Sequence, residues 1–315
     1  MLLAPIPWAN RAWALPFLTA LAPSERYGAQ HGRRHKALTD WAWQPLLVVR
    51  RWWPDRMIVA VADSGYAALR LLARCIALPV PITVITRLRL DAALYEPAPS
   101  RLPGQIGRPR QKGKRLPTLA ARATDPATDW QMVIVADWYG KGERSVELVS
   151  ETAVWYHTGL PPVPMRWVLI RDPAEKFATQ ALLCTDRTVT PQQIIAWFVR
   201  RWQMETTFEE ARRHLGVETQ RQWTALAIRR TTPALLGLFS LVTLLAHPQL
   251  TAHPGPLRQA AWYRKRAPTF ADALALVRRE IWAHETFRIS ADDIEMVKVP
   301  RILVERFTET LCYVA

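Results

Sequence analysis

Two carboxylates carry the chemical interest of this 315-residue chain, Asp63 and Glu205. In "FVRRWQMETTFEEAR", residues 198 to 212, Phe198, Arg201, Glu205 and Arg212 follow one another at intervals of three, four and seven. On one continuous helix, at about 100° per residue, they would fall within roughly a 60° arc. A carboxylate would then share a stripe with two guanidinium groups. Divalent-metal cleavage of phosphodiesters uses such a set: a carboxylate on a rigid element to hold the ion, and cations beside it to hold the backbone. Magnesium takes hard oxygen ligands, and a second carboxylate from a strand end completes the pattern. Asp63 closes the apolar run "MIVAVA" and meets that description. Each acid also has a plainer reading. Asp63 could cap the turn that Gly65 permits, and Glu205 could pair with Arg201 on a solvated face.

Other residues weigh less. Asp186 in "LLCTDRTVTP" follows an apolar strand but suits the start of a turn. Glu209 and Glu210 read as surface acids, and His214 has no partner histidine to make it a ligand. Trp138, Trp155 and Trp167 alternate with apolar residues and read as core; stacking on an unpaired base is the minority alternative. Cys75, Cys184 and Cys312 are far apart, without a CxxC pair, which gives neither a disulfide framework nor a zinc site and suits a reducing cytoplasm.

These residues need elements to place them. "MIVAVA" reads as a central strand buried on both faces, "YAALRLLARC" as a helix and "PITVITRL" as a second strand; together they predict a parallel crossover. Two short strands precede it, with a helix over 35–53 that Pro45 would kink. Between 101 and 115, "RLPGQIGRPRQKGKR" holds six basic residues and no acid and reads as a flexible arm. Arg108, Arg110, Lys112 and Lys114 are its candidate phosphate contacts. A β-rich block follows to residue 185, and helices resume at Pro191 with Thr190 as cap. "ALLGLFSLVTLLA", residues 234 to 246, is too short to span a bilayer and reads as a buried helix. A proline-rich linker and a helical tail close the chain.

Charge narrows the partner. Forty-two basic against 27 acidic residues leave +15, which favours a polyanion, nucleic acid first. No signal peptide is read at the start, and no membrane partner is expected.

Taken with its neighbours, "FVRRWQMETTFEEAR" resembles the tyrosine, arginine, glutamate, lysine motif of bacterial insertion-sequence transposases, DDE enzymes with a ribonuclease-H-like core. "VADSGYAALRLL" is similar to that family's second-aspartate strand and turn, and "VITRLRLDAALYEP" and "ETQRQWTALAIRRTTPALLGLFSLV" extend the likeness over most of residues 1 to 247. The resemblance implies an α/β fold: a ribonuclease-H-like mixed sheet with flanking helices, interrupted by a β-rich insertion and followed by a helical C-terminal part. It implies core residues 1–90, an insertion at 91–187, glutamate and core helices at 188–247, and a tail at 248–315. Asp63 would be the second catalytic aspartate and Glu205 the catalytic glutamate, holding two Mg2+ ions. Arg201 would contact phosphate at a DNA end. Phe198 replaces the family's tyrosine and loses its hydroxyl; Arg212 replaces lysine and keeps the charge.

One departure stands out. The family's first aspartate belongs on a strand ahead of a β-meander, and residues 1 to 19 look like the later strands of that meander. Asp40 and Asp55 lie in or beside the helix, so the expectation is a chain that lacks the first strand and one metal ligand. Three functions follow from these readings: a transposase acting on transposon ends and target DNA, with a homodimer forming on that DNA; a catalytically dead DNA-binding remnant; and, more weakly, a host nuclease of the same core. The expected location is the cytoplasm, at the nucleoid when bound to DNA.

Overall fold

In the computed structural model the described residues are 1–101, 106–219, 221, 224–252, 264–286 and 299–313. Most of the expected proline-rich linker, part of the arm, and Gln220, Gln222 and Trp223 lie outside them.

The first elements are a hairpin, β1 (Leu2–Ile6) and β2 (Arg11–Leu15), paired from Leu2↔Leu15 to Ile6↔Arg11. Asn10 turns the chain with φ +53°, a left-handed conformation that asparagine tolerates. Two helices follow, α1 (Glu25–Gln30) and α2 (Leu38–Trp52), the latter running through Pro45. Next come β3 (Ile58–Val61), α3 (Leu69–Ile76), β4 (Ile82–Leu88) and β5 (Leu94–Tyr95). After α4 (Leu119–Thr124) stand β6 (Gln131–Val135), β7 (Arg144–Trp155), β8 (Val163–Arg171) and β9 (Gln180–Cys184). The remaining helices are α5 (Pro191–Arg200), α6 (Gln203–Leu215), α7 (Ala225–Ala252), α8 (Phe270–Thr286) and α9 (Arg301–Tyr313).

The chain divides into two compact units, residues 20–202 and residues 1–19 with 203–315. The first is built on a mixed sheet of seven strands in the order β3-β4-β9-β8-β7-β5, with β6 on β7. The crossover is as expected: β3 and β4 are parallel, Ile58↔Ile82 to Val61↔Ile85, and α3 connects them. β3 itself differs from expectation. It lies at the end of the strand order and its four residues are only half-buried, because among the described residues β4 is its one ladder partner. On its other side β4 pairs antiparallel with β9, so the β-rich block extends the same sheet.

Alternation along β8 shows why the sheet can carry helices on both faces. Met165, Trp167 and Leu169 pack into one cluster with Leu72 of α3 and Ile82. Val168 and Ile170 pack into the other with Ile194 and Phe198 of α5. Successive side chains of a strand point to opposite faces, so one apolar run supplies both cores. At the start of α5, the Thr190 hydroxyl accepts a hydrogen bond from the Gln193 N–H at 3.3 Å, with Pro191 next to it.

In the second unit α6 lies on β2. Gln203, Thr207 and Ala211, at intervals of four, form its buried stripe, and the Thr207 hydroxyl donates to the Ala14 carbonyl at 2.8 Å. Trp13, Phe239 and Phe270 make the aromatic centre, the two phenylalanines stacked at 4.2 Å. α7 is longer than the 13-residue apolar run suggested: it continues through Pro248 for 28 residues. By length and composition alone it could cross a membrane, a property shared with core helices of soluble proteins. Phe239, Val242, Ala246 and Leu250 pack into the unit's core, Trp8 donates to His247 Nδ1 at 3.2 Å, and Ser240 donates to the Pro16 carbonyl at 2.6 Å.

Candidate active site

Asp63 stands where the backbone leaves the sheet. The ladder's last bond runs from the Ala62 N–H to the Ile85 carbonyl at 2.9 Å. Asp63 Oδ1 then accepts from the Ser64 N–H at 2.9 Å, capping a short 3-10 turn at Ser64–Tyr66. Its main-chain carbonyl accepts two donors, the Tyr66 N–H at 3.0 Å and the Thr86 hydroxyl at 2.7 Å. The side chain is exposed, and among the described residues Oδ2 takes no hydrogen bond. The capping role is therefore real, but it occupies one oxygen only.

The single stripe expected for residues 198 to 212 is broken. α5 ends at Arg200 and α6 begins at Gln203, with tight-turn bonds from Arg201 N–H to the Phe198 carbonyl and from Trp202 N–H to the Val199 carbonyl between them. The helix is interrupted there, so the 100° count for one continuous helix does not apply across it. Phe198 is only 2% exposed, inside the core of its unit, and serves as a platform: the guanidinium of Arg87 sits 5.8 Å and that of Arg201 5.6 Å from its ring centroid. Its ring is therefore part of the core and not of the exposed surface. In the other unit, Glu205 occupies the first turn of α6, exposed and on the opposite side from the buried stripe. An acid there also favours the helix N-terminus. Arg212 is exposed and forks onto Glu218, at 2.6 and 3.2 Å. That pairing raises the arginine's pKa and lowers the glutamate's.

The basic arm splits into two kinds of residue. Arg108, Arg110 and Lys114 are exposed. Lys112 is half-buried, its ammonium 3.7 Å from the Tyr95 ring centroid and 4.3 Å from that of Tyr156. Beside it the chain runs back along β5: Glu96 N–H donates to the Lys114 carbonyl and Gly113 N–H to the Glu96 carbonyl. A Cβ at Gly113 would come within 2.6 Å of the Pro97 carbonyl oxygen, so glycine is required.

A cleft of about 540 Å³ opens in the same unit, lined by Arg87, Trp138, Tyr139, Arg144, Arg201 and Trp202 among others. Tyr139 meets Trp138 and Trp202 edge-on at 5.1 and 5.9 Å. Arg144 lies over Phe177 and Trp138 and is ion-paired to the buried Asp172. Burial pushes the Asp172 carboxyl up, but the Ala174 and Lys176 N–H groups and Arg144 together hold it below the usual carboxylate value. Of these residues only Trp138 and Arg201 were singled out from sequence. Arg87 had a legible signal, a lone cation inside "PITVITRL", where it is exposed between buried neighbours.

A family model described as DDE superfamily endonuclease matches residues 1–160. The chain belongs to the DDE superfamily of endonucleases. No curated protein matches it. The matched segment of this DDE endonuclease holds Asp63 and its strand and ends before Glu205. The mixed α/β fold agrees with the ribonuclease-H-like expectation, and a DDE endonuclease acts on DNA with divalent metals.

The ligand chemistry of this DDE endonuclease fits such ions in kind: Asp63 and Glu205 each offer exposed, hard carboxylate oxygens. Among the described residues no three acids, histidines or cysteines stand together as a ready metal site. Asp186 is the turn residue expected, its Oδ1 accepting from the Thr188 N–H and hydroxyl at 2.9 and 2.6 Å. His214 pairs with Glu210 at 3.3 Å, and Trp138 and Trp167 are core.

Proposed function

We propose that this DDE endonuclease is the transposase of a bacterial insertion sequence, cutting DNA at element ends and joining them to target DNA. The supporting observation is Asp63: an exposed carboxylate at the C-terminal exit of a parallel strand, inside the segment that matches the family. In this reading Asp63 and Glu205 hold Mg2+. The bound ions supply activation of the attacking water or hydroxyl and neutralise the leaving oxygen. The protein's cations do the gripping. Arg201 and Arg87, steadied on the Phe198 ring, meet the phosphate backbone from the cleft, with Arg108, Arg110 and Lys114 extending the grip along the arm. Arg212, on α6 of the other unit, is a further candidate phosphate contact, its charge shared with Glu218. A homodimer forms when two ends are brought together on DNA.

A second reading is a DNA-binding protein that does not cut, which follows from the expectation that the chain lacks the family's first metal-holding aspartate. One experiment separates the two. The purified chain is incubated with a duplex carrying the element's end and Mg2+, alongside Asp63→Asn and Glu205→Gln. We expect nicking by the wild type and a loss of roughly a hundredfold or more in each variant, beyond the losses seen for outer-shell partners of metal ligands. Binding without nicking, equal in all three proteins, would establish the second reading.

A further inference from the structure

We propose that Thr86 is the positioning residue for Asp63: its buried hydroxyl holds the peptide unit from which the carboxylate projects. The inference rests on the reading of Asp63 as a metal-holding carboxylate.

β3 is a short strand of four residues, and among the described residues only β4 supports it. Its register ends at Val61↔Ile85, and the Ala62 N–H makes the last ladder bond. Asp63 is thus the first residue that the sheet no longer holds through backbone pairing. Thr86 is fully buried, and its hydroxyl reaches across at 2.7 Å to the Asp63 carbonyl. In effect a side chain continues the ladder by one residue. The Tyr66 N–H saturates the same carbonyl from the turn side at 3.0 Å. Between them the two donors fix the Asp63 peptide plane, and the Ser64 N–H on Oδ1 fixes the side chain. A metal-binding carboxylate needs such a supporting shell, because a loosely held ligand loses affinity and alignment. The neighbouring position gives β4 a second role: Arg87, pointing to the other face, lines the cleft. One dipeptide of β4 therefore steadies the acid and supplies a cation.

Thr86→Val keeps the shape and removes the donor, whereas Thr86→Ser keeps the donor. The first measurement uses neither metal nor DNA: hydrogen exchange of the segment spanning Asp63 to Ala67 in the full chain. Thr86→Val should exchange on the order of tenfold faster there, with the rest of the sheet and the melting temperature close to wild type, and Thr86→Ser should restore protection. The second is the Mg2+ concentration for half-maximal nicking, expected to rise on the order of tenfold in Thr86→Val and to return in Thr86→Ser. Wild-type exchange and metal dependence in Thr86→Val would overturn the proposal. So would a general loss of stability that Thr86→Ser does not repair. Unchanged nicking in Asp63→Asn, or none by the wild type, would instead remove the reading of Asp63, while the exchange data still decide whether Thr86 clamps its peptide.

Discussion

Phe198 is an interior residue of its unit, 2% exposed. The resembling transposases carry tyrosine at this position, and the phenylalanine here keeps the ring while losing the hydroxyl. The ring is in the core with Ile194 and Ile195, and two guanidinium groups lie over it. In the proposed function the ring acts as a platform under Arg87 and Arg201, both of which line the cleft. Phe198→Ala should remove about 3–5 kcal/mol of stability, the usual result of emptying a large aromatic site. Chemical denaturation measures this directly, and a change below about 1 kcal/mol, typical of a surface site, would show that the ring is not core.

Among the elements, the arm is the one whose parts separate most clearly. Its composition suggested four interchangeable cations. Packing against β5 distinguishes them, because Lys112 is held between Tyr95 and Tyr156 whereas Arg108 and Arg110 remain exposed. A cation held over two aromatic rings contributes to holding the arm down. The double variant Arg108→Ala, Arg110→Ala should therefore lower the slope of log affinity against log salt by about 1 to 2, near 0.9 for each phosphate that is no longer neutralised. Lys112→Met should leave that slope near wild type and instead speed tryptic cutting between residues 106 and 115. A fall in slope for Lys112→Met equal to that of an exposed arginine would contradict the assignment.

For the whole molecule, the excess of +15 makes folding work against charge repulsion, most of all in acid. The helical C-terminal part has a device suited to that problem. Asp272, buried near the start of α8, accepts from Lys265 at 2.8 and 2.9 Å, from the Thr269 N–H and hydroxyl at 2.8 Å each, and from Tyr313 of α9 at 3.1 Å. Burial pushes its carboxyl up, but Lys265 and Thr269 outweigh that and hold it below the ordinary value of 3.8. A depressed folded-state value means stability that is present above 3.8 and lost as pH falls through the lower folded value. Asp272→Asn should cost roughly 3 kcal/mol at neutral pH, as breaking a buried pair does. It should also flatten the fall in melting temperature below pH 3.8, the ordinary value of this carboxyl. An equal acid slope in variant and wild type would remove Asp272 from the explanation.

Local chemistry was legible without coordinates. "MIVAVADSG" set a strand followed by a turn and placed an acid between them, Thr190 and Pro191 set the start of a helix, and the lone Arg87 advertised an outward cation in a buried strand. These signals depend on neighbours a few residues apart, so the sequence contains them whole. The break at Arg201–Trp202 was not legible, because helix period extends any stripe until packing stops it, and here the burial of Phe198 on one side and the α6 stripe of Gln203, Thr207 and Ala211 on the other begin separate helices. Likewise β3 read as central from its apolar run, yet strand order is decided by partners far along the chain. The same holds for Thr86: its hydroxyl became a support for Asp63 only when the parallel register brought positions 23 residues apart within hydrogen-bonding distance.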